Sequence, residues 1–253
     1  MTETATESVD ESLPPELPPR TLPLAIAAVA FVFFVAGVYA FATFGRQYFD
    51  PLSGSIGELL VQRAQDLKEA GYTEAALFSY QRALDAKFDD PRQRGWALRD
   101  YGTLLLEEQR PEEAATALAE CLAAYPDDLK AHAIHCAALL KAEKFDALLA
   151  GAQAWRAAAQ AAHDTASEAA ALYHAGAAYE SLGQEGNALN SYLAGHKLDS
   201  ESVNAFHAAT VLHRLGEDEQ ALLLLDDYLK RGSGWREKSA QALRSSIAAA
   251  QGA

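Results

Sequence analysis

An all-α fold is what this sequence predicts: one uncharged apolar span near the start, then helices in tandem pairs, then a capping helix. Three observations predict it. Apolar residues recur at three- and four-residue spacing from about residue 57 onward, with no convincing alternating strand. Breaks between these periodic stretches come at regular intervals. Ala leads an apolar fraction of 50%, which favours helices and close helix packing.

The elements follow in order. Residues 1–20 carry five acids (Glu3, Glu7, Asp10, Glu11, Glu16) and one base, Arg20. Their LPPELPPR stretch cannot propagate a helix, because proline lacks the donor and clashes with the preceding turn. The sequence therefore predicts a disordered, acidic, Pro-rich tail. Residues 21–45 contain no charge over 25 positions, and about 20 apolar residues at 1.5 Å each cross a hydrocarbon core of roughly 30 Å. Pro23 falls in the first turn, where a missing donor costs little. This is the expected transmembrane helix. A buried core helix is the competing reading, but such helices seldom run this long without a polar face.

A cleavable signal peptide is the second competitor, since Ala40-Phe41-Ala42 fits a small-x-small cleavage site. The acidic leader argues against it, as a signal peptide wants a basic one. Arg20 and Arg46 bracket the span, so the positive-inside rule picks no orientation. The expected location is a bacterial inner membrane, single-pass, with the folded domain on the periplasmic side and the cytoplasmic side as the alternative.

Residues 46–56 form a linker carrying Pro51 and Gly54, both turn formers. Beyond it, one residue pattern returns five times. The clearest copy runs Leu172, Gly176, Tyr179, Gly183, Ala188, Tyr192. A second runs Leu60, Ala64, Leu67, Gly71, Ala76, Tyr80, Ala83, and a third Leu98, Tyr101, Gly102, Leu105, Ala114, Leu118, Cys121, Pro126. A degraded copy holds Cys136, Leu139, Phe145, Leu148 and Trp155. The last holds Ala209, Leu212, Gly216, Ala221, Leu225 and Tyr228. The copies begin near 57, 95, 129, 169 and 202, a period close to 34 residues. The longer steps place extra residues at Phe88–Arg92 and Ala161–Thr165.

This pattern resembles the tetratricopeptide repeat (TPR) family. The resemblance covers residues 57–235 and implies a right-handed α-solenoid of about five helix pairs. Each pair is too small to bury its stripe alone, so stacking makes the core and the ends need polar caps. Small residues (Ala64 with Ala76, Gly102 with Ala114, Gly176 with Ala188) are expected to let paired helices approach. Residues 236–253 carry the periodicity of the final capping helix and a tail.

The resemblance also implies a groove lined by the first helix of each pair, which holds a peptide or partner helix. Carried over by spacing, its positions are Val61, Gln65 and Lys68; Trp96, Arg99, Thr103 and Leu106; Lys130, Ala133, Ala137 and Lys141; Tyr173, Ala177 and Glu180; Phe206, Thr210 and Arg214. Lys68, Arg99, Lys130, Lys141 and Arg214 interleave with Trp96, Tyr173 and Phe206, and Arg and large aromatics are the types that anchor interfaces. The expected partner is a protein or peptide segment with apolar anchors and acidic groups. The clamp that family members use on acidic chaperone tails is not expected, because Val61, Gln65, Asp100 and Ile134 occupy its places and only Lys130 matches.

Composition excludes other classes. A formal charge of −14 argues against nucleic acid, which needs clustered Lys and Arg. Two cysteines cannot build a disulfide framework or a four-thiolate zinc site. They lie on helices expected to be neighbours, where an oxidising compartment would allow a bond if the geometry fits. His132, His135 and Cys136 share one helix, yet two fall on packing positions and no third ligand partner is evident. No nucleophile elbow, phosphate loop or paired-Cys motif is present. The sequence thus predicts no cofactor, no metal, no small-molecule substrate and no catalysis. It predicts a membrane-anchored scaffold that helps assemble or escort a membrane or envelope complex. The alternative is an adaptor facing the cytoplasm that recruits a soluble partner.

Overall fold

The computed structural model describes residues 56–200, 203–231 and 236–251. These lie within a single unit, 54–253. They form eleven helices, with no strand among the described residues. The transmembrane span expected at 21–45 and the acidic tail lie outside the described residues. Within the described residues no helix is long and apolar enough to cross a membrane.

The helices are α1 (Ile56–Glu69), α2 (Thr73–Asp85), α3 (Pro91–Glu107), α4 (Pro111–Ala124), α5 (Leu129–Lys141), α6 (Phe145–Ala161), α7 (Thr165–Ser181), α8 (Glu185–Leu198), α9 (Asn204–Arg214), α10 (Asp218–Lys230) and α11 (Glu237–Gln251). Odd and even helices up to α10 pair as hairpins, each hairpin packs on the next, and α11 closes the stack against α10. This is an all-α solenoid.

Local chemistry sets the helix ends. Asp90, Asp128 and Asp164 cap α3, α5 and α7 by accepting from the backbone N–H groups of Arg92, Ala131 and Ser167. An N-cap carboxylate satisfies donors that have no intrahelical partner. Pro91 and Pro111 start α3 and α4, where the missing N–H is no loss. Each hairpin turn places one residue in the left-handed region. Gly183 does so at φ 71°, but Gln109 and Glu143 do so at 59° and 56° without glycine's freedom.

The extra residues around 161–165 make no loop. They lengthen α6 and α7 to 17 residues each, and His163 at φ 56° turns the chain between them. The connection between the third and fourth pairs therefore has the geometry of a turn inside a pair. At 88–92 the extra residues divide: Phe88, Asp89 and the N-cap Asp90 stay in the connection, while Pro91 and Arg92 open α3, so its helix starts four residues before 95.

One core cluster runs from Ala64 and Tyr80 through Leu105, Leu118, Cys136 and Trp155 to Ala178, and two further clusters, around Tyr192 with Val211 and around Leu225 with Ile247, serve the C-terminal pairs. A Cβ on Gly176 would lie 2.5 Å from Tyr192 Cε1, and one on Gly102 would lie 2.7 Å from Leu118 Cγ. The nearest neighbours of these glycines are thus the large residues of the second helix, rather than Ala188 or Ala114. Those large residues also reach the next pair: Tyr80 packs on Tyr101 and Tyr192 on His207, with ring centroids 6.2 and 5.3 Å apart. Tyr228 is buried and packs on Phe206. On α11, Ala240 and Ile247 are buried and Leu243 packs partly buried against the same cluster.

Candidate functional site: the face of the first helices

On α3, residues 96, 100, 103 and 107 fall on one stripe, because successive residues turn by 100°. The stripe is Trp96, Asp100, Thr103 and Glu107. On α5 the corresponding stripe is Lys130, Ala137 and Lys141. Gln62, Gln65, Lys68 and Glu69 of α1 meet Asp100 and Thr103 of α3 and Lys130 of α5 around an opening of about 580 Å³. Tyr80 lies at its floor, and burial pushes its hydroxyl up to about 12. Of the expected groove residues, Lys68 and Lys130 line this opening, and Trp96 lies one turn before Asp100 on the α3 stripe. Trp96 is 51% exposed, so it remains available to a partner.

The other expected groove residues divide. Arg99 turns sideways and donates to Asp128 at 2.8 Å, with side chains only 19% and 17% exposed. Asp128 is also the N-cap of α5, so Arg99 ties α3 to the start of the next pair. Tyr173 is half-buried in a ring cluster with His174, Tyr192 and His207. Phe206 packs on His207 and Tyr228, with the Arg236 guanidinium 5.9 Å above its ring. Packing inward thus claims both aromatics. Arg214 donates to Glu180 at 2.6 Å and lies 3.1 Å from Glu185. Tyr192 donates to the other oxygen of Glu180 at 2.9 Å. Lys141 is exposed at the far end of the α5 stripe.

A second opening lies on the other side of α5, between α4 and α6. It measures about 600 Å³ and is walled by residues such as Leu122, Ala123, Gly151 and Ala158, with His132 and His135 on its floor. No lining residue carries a carboxylate, ammonium or guanidinium. His132 Nε2 is 2.9 Å from the Pro126 carbonyl, and burial holds the His135 imidazole below its ordinary value. The two histidines singled out by the sequence therefore serve the packing of α5 on its neighbours. Among the described residues no three His, Cys, Asp or Glu gather as a metal site. Cys121 and Cys136 are free and buried. Burial pushes their thiols up to about 11 and about 12, so neither is a ready nucleophile.

Sequence reasoning missed Asn204. It is fully buried and donates to the Ala169 carbonyl at 3.0 Å. A Cβ on Gly195 would strike it at 2.5 Å. Nothing in its spacing marks it, since an Asn near a helix start reads as a cap.

The sequence matches no family model and no curated protein. Solved structures do resemble the fold. A tetratricopeptide repeat protein from Parabacteroides merdae superposes with a TM-score of 0.62 at 15% identity, over 79% of this chain and 75% of that one. MamA from Desulfovibrio magneticus RS-1 gives 0.58 at 21% identity, over 70% of this chain and 96% of that one. PilF from Pseudomonas aeruginosa gives 0.56 at 16%, over 77% and 88%. At these identities the likeness establishes a TPR-like fold.

Proposed function

We propose that this chain is a membrane-anchored, non-catalytic scaffold. Residues 21–45 would hold it in a bacterial inner membrane, and the face of its first helices would bind a segment of a partner protein. The anchor raises the domain's effective concentration toward neighbouring membrane proteins. Its work would be to assemble or escort a membrane or envelope complex. The observation that carries this reading is the open face of α1, α3 and α5. It carries an exposed Trp96 one helical turn before Asp100, and Asp100 lines a charged opening of about 580 Å³, the combination of aromatic anchor and polar rim that interfaces use.

An adaptor facing the cytoplasm is the second reading. Favouring it are two thiols that stay free and buried, as expected in a reducing compartment. The test is topology. Alkaline phosphatase and a fluorescent protein are fused separately after Ala253 in a bacterial host, and membranes are washed with alkaline carbonate. Retention in the membrane with active phosphatase and no fluorescence supports the periplasmic scaffold. Retention with the reverse reporters supports the adaptor. Release by carbonate contradicts the anchor in both.

A further inference from the structure

The inner face carries charge, and ion pairing inside the molecule decides which of it a partner meets. Lys68 is held by Glu107 at 2.8 Å, Arg99 by Asp128 at 2.8 Å, and Arg214 by Glu180 and Glu185 at 2.6 and 3.1 Å. Three of the five cations that pointed to an acidic partner are therefore already matched. Asp66, Glu69 and Asp100 have no cation within ion-pair distance among the described residues. Asp66 and Asp100 accept only from the amides of Gln62 and Gln65. Lys130 and Lys141 have no carboxylate partner among the described residues. The unmatched acids lie on α1 and α3, and the unmatched bases lie on α5.

The geometry points to a partner segment of mixed charge, with a basic side chain seated against Asp66, Glu69 and Asp100 and an acidic side chain beside it turned to Lys130. This rests on the groove reading above and narrows it. All four residues line one opening, so the two partner groups must be close neighbours along its chain. Lys141 stands eleven residues beyond Lys130 on the same stripe, about 16 Å along the helix, where it offers a second place for an acid. A purely acidic segment would set a carboxylate among three others, and a purely basic one would meet Lys130. Such repulsions reject wrong partners and add to the discrimination that the attractions give.

The test uses the full chain in a mild detergent and one set of fluorescent 12-residue peptides in a common Ala/Gly/Ser frame. The central pair is Lys/Glu in either order, Glu/Glu, Lys/Lys or Gln/Gln, and binding is read by anisotropy. One Lys/Glu order is expected to bind at least about tenfold tighter than Glu/Glu, Lys/Lys or Gln/Gln at low salt, with the advantage shrinking as salt rises. The Lys130→Glu variant should shift the preference to Lys/Lys, and the Glu69→Lys variant should shift it toward Glu/Glu. Both positions are exposed, and unchanged melting curves show that the variants fold. Equal or tighter binding of Glu/Glu, Lys/Lys or Gln/Gln, or no binding by any peptide, overturns the mixed-charge inference. Whether the face holds a protein segment at all is read separately, by cross-linking from Trp96, so the two claims can fail independently.

Discussion

Gly176 shows how much a single atom decides at the scale of the residue. A methyl group there would lie 2.5 Å from the Tyr192 ring, and that ring cannot swing away freely because its hydroxyl is bonded to Glu180. Gly176→Leu should cost about 1–3 kcal/mol by overpacking, read as a drop in melting temperature. Pairing the smaller Gly176→Ala with Tyr192→Leu should recover part of that variant's loss, because the two residues share one contact. The glycine itself was legible from its place in the repeat. Its true neighbour was not, because spacing gives the small seat and leaves open which side chain fills it.

Histidine behaves in a similar way. Burial holds His174 and His207 down at about 4, and for His207 Arg236 adds to this while Glu180 opposes it. Both are lower than the unfolded value near 6.5. The unfolded chain therefore binds more protons between pH 6.5 and 4, so stability falls as pH is lowered through that window and levels off below it. The double variant His174→Phe with His207→Phe should lose less stability than the parent between pH 7 and pH 4.5, measured by urea unfolding. An equal loss in both would mean that these imidazoles are solvated.

At the scale of the element, the Arg99–Asp128 link is the clearest case of a residue whose role changed on folding. Helical spacing placed Arg99 in the groove, and nothing in the sequence shows that Asp128 caps the following helix within its reach. Because Asp128 both caps α5 and accepts from Arg99, Arg99→Glu would set two carboxylates together. The expected cost is about 1–3 kcal/mol, the range for losing a charged hydrogen bond and leaving its partner unmet. Asp128→Ala should cost about 0.5–2 kcal/mol through the cap, and more because Arg99 then loses its partner. The double variant should cost less than the sum, because the interaction is lost only once. A loss confined to partner capture, with an unchanged melting curve, would return Arg99 to the groove.

For the molecule as a whole, the helix-pair architecture was readable because stacked repeats must place small and large residues at a fixed period. The elements blurred by sequence were those where residues were added between repeats. There the chain lengthened α6 and α7 about His163 at positive φ, a turn that lacks its usual glycine. Of the residues that spacing assigned to the groove in the N-terminal half, Lys68 and Lys130 line one opening, and Trp96 stands exposed one turn before Asp100. In the C-terminal half, Tyr173 and Phe206 serve the core and Arg214 is matched by Glu180 and Glu185. Ion pairing across thirty residues has no local signature. The stack also predicts local unfolding. Removing residues 236–253 uncovers the face of α10 that α11 packs on, and amide exchange should speed up in α9 and α10 while α3 to α6 stay protected. Uniform loss of protection would mean that the repeats unfold as one block.

A protein segment bound to the face of α1, α3 and α5 would be trapped by a photo-reactive benzoylphenylalanine placed at Trp96, on that face, and missed by one placed at Phe78, exposed on α2. Each replaces one large exposed aromatic with another, so the fold is little disturbed. After irradiation of living cells, the account predicts a discrete cross-linked protein from position 96 and none from position 78, with the position-96 product lost in the Lys130→Glu variant. No product from position 96, or the same product from both positions, would contradict it.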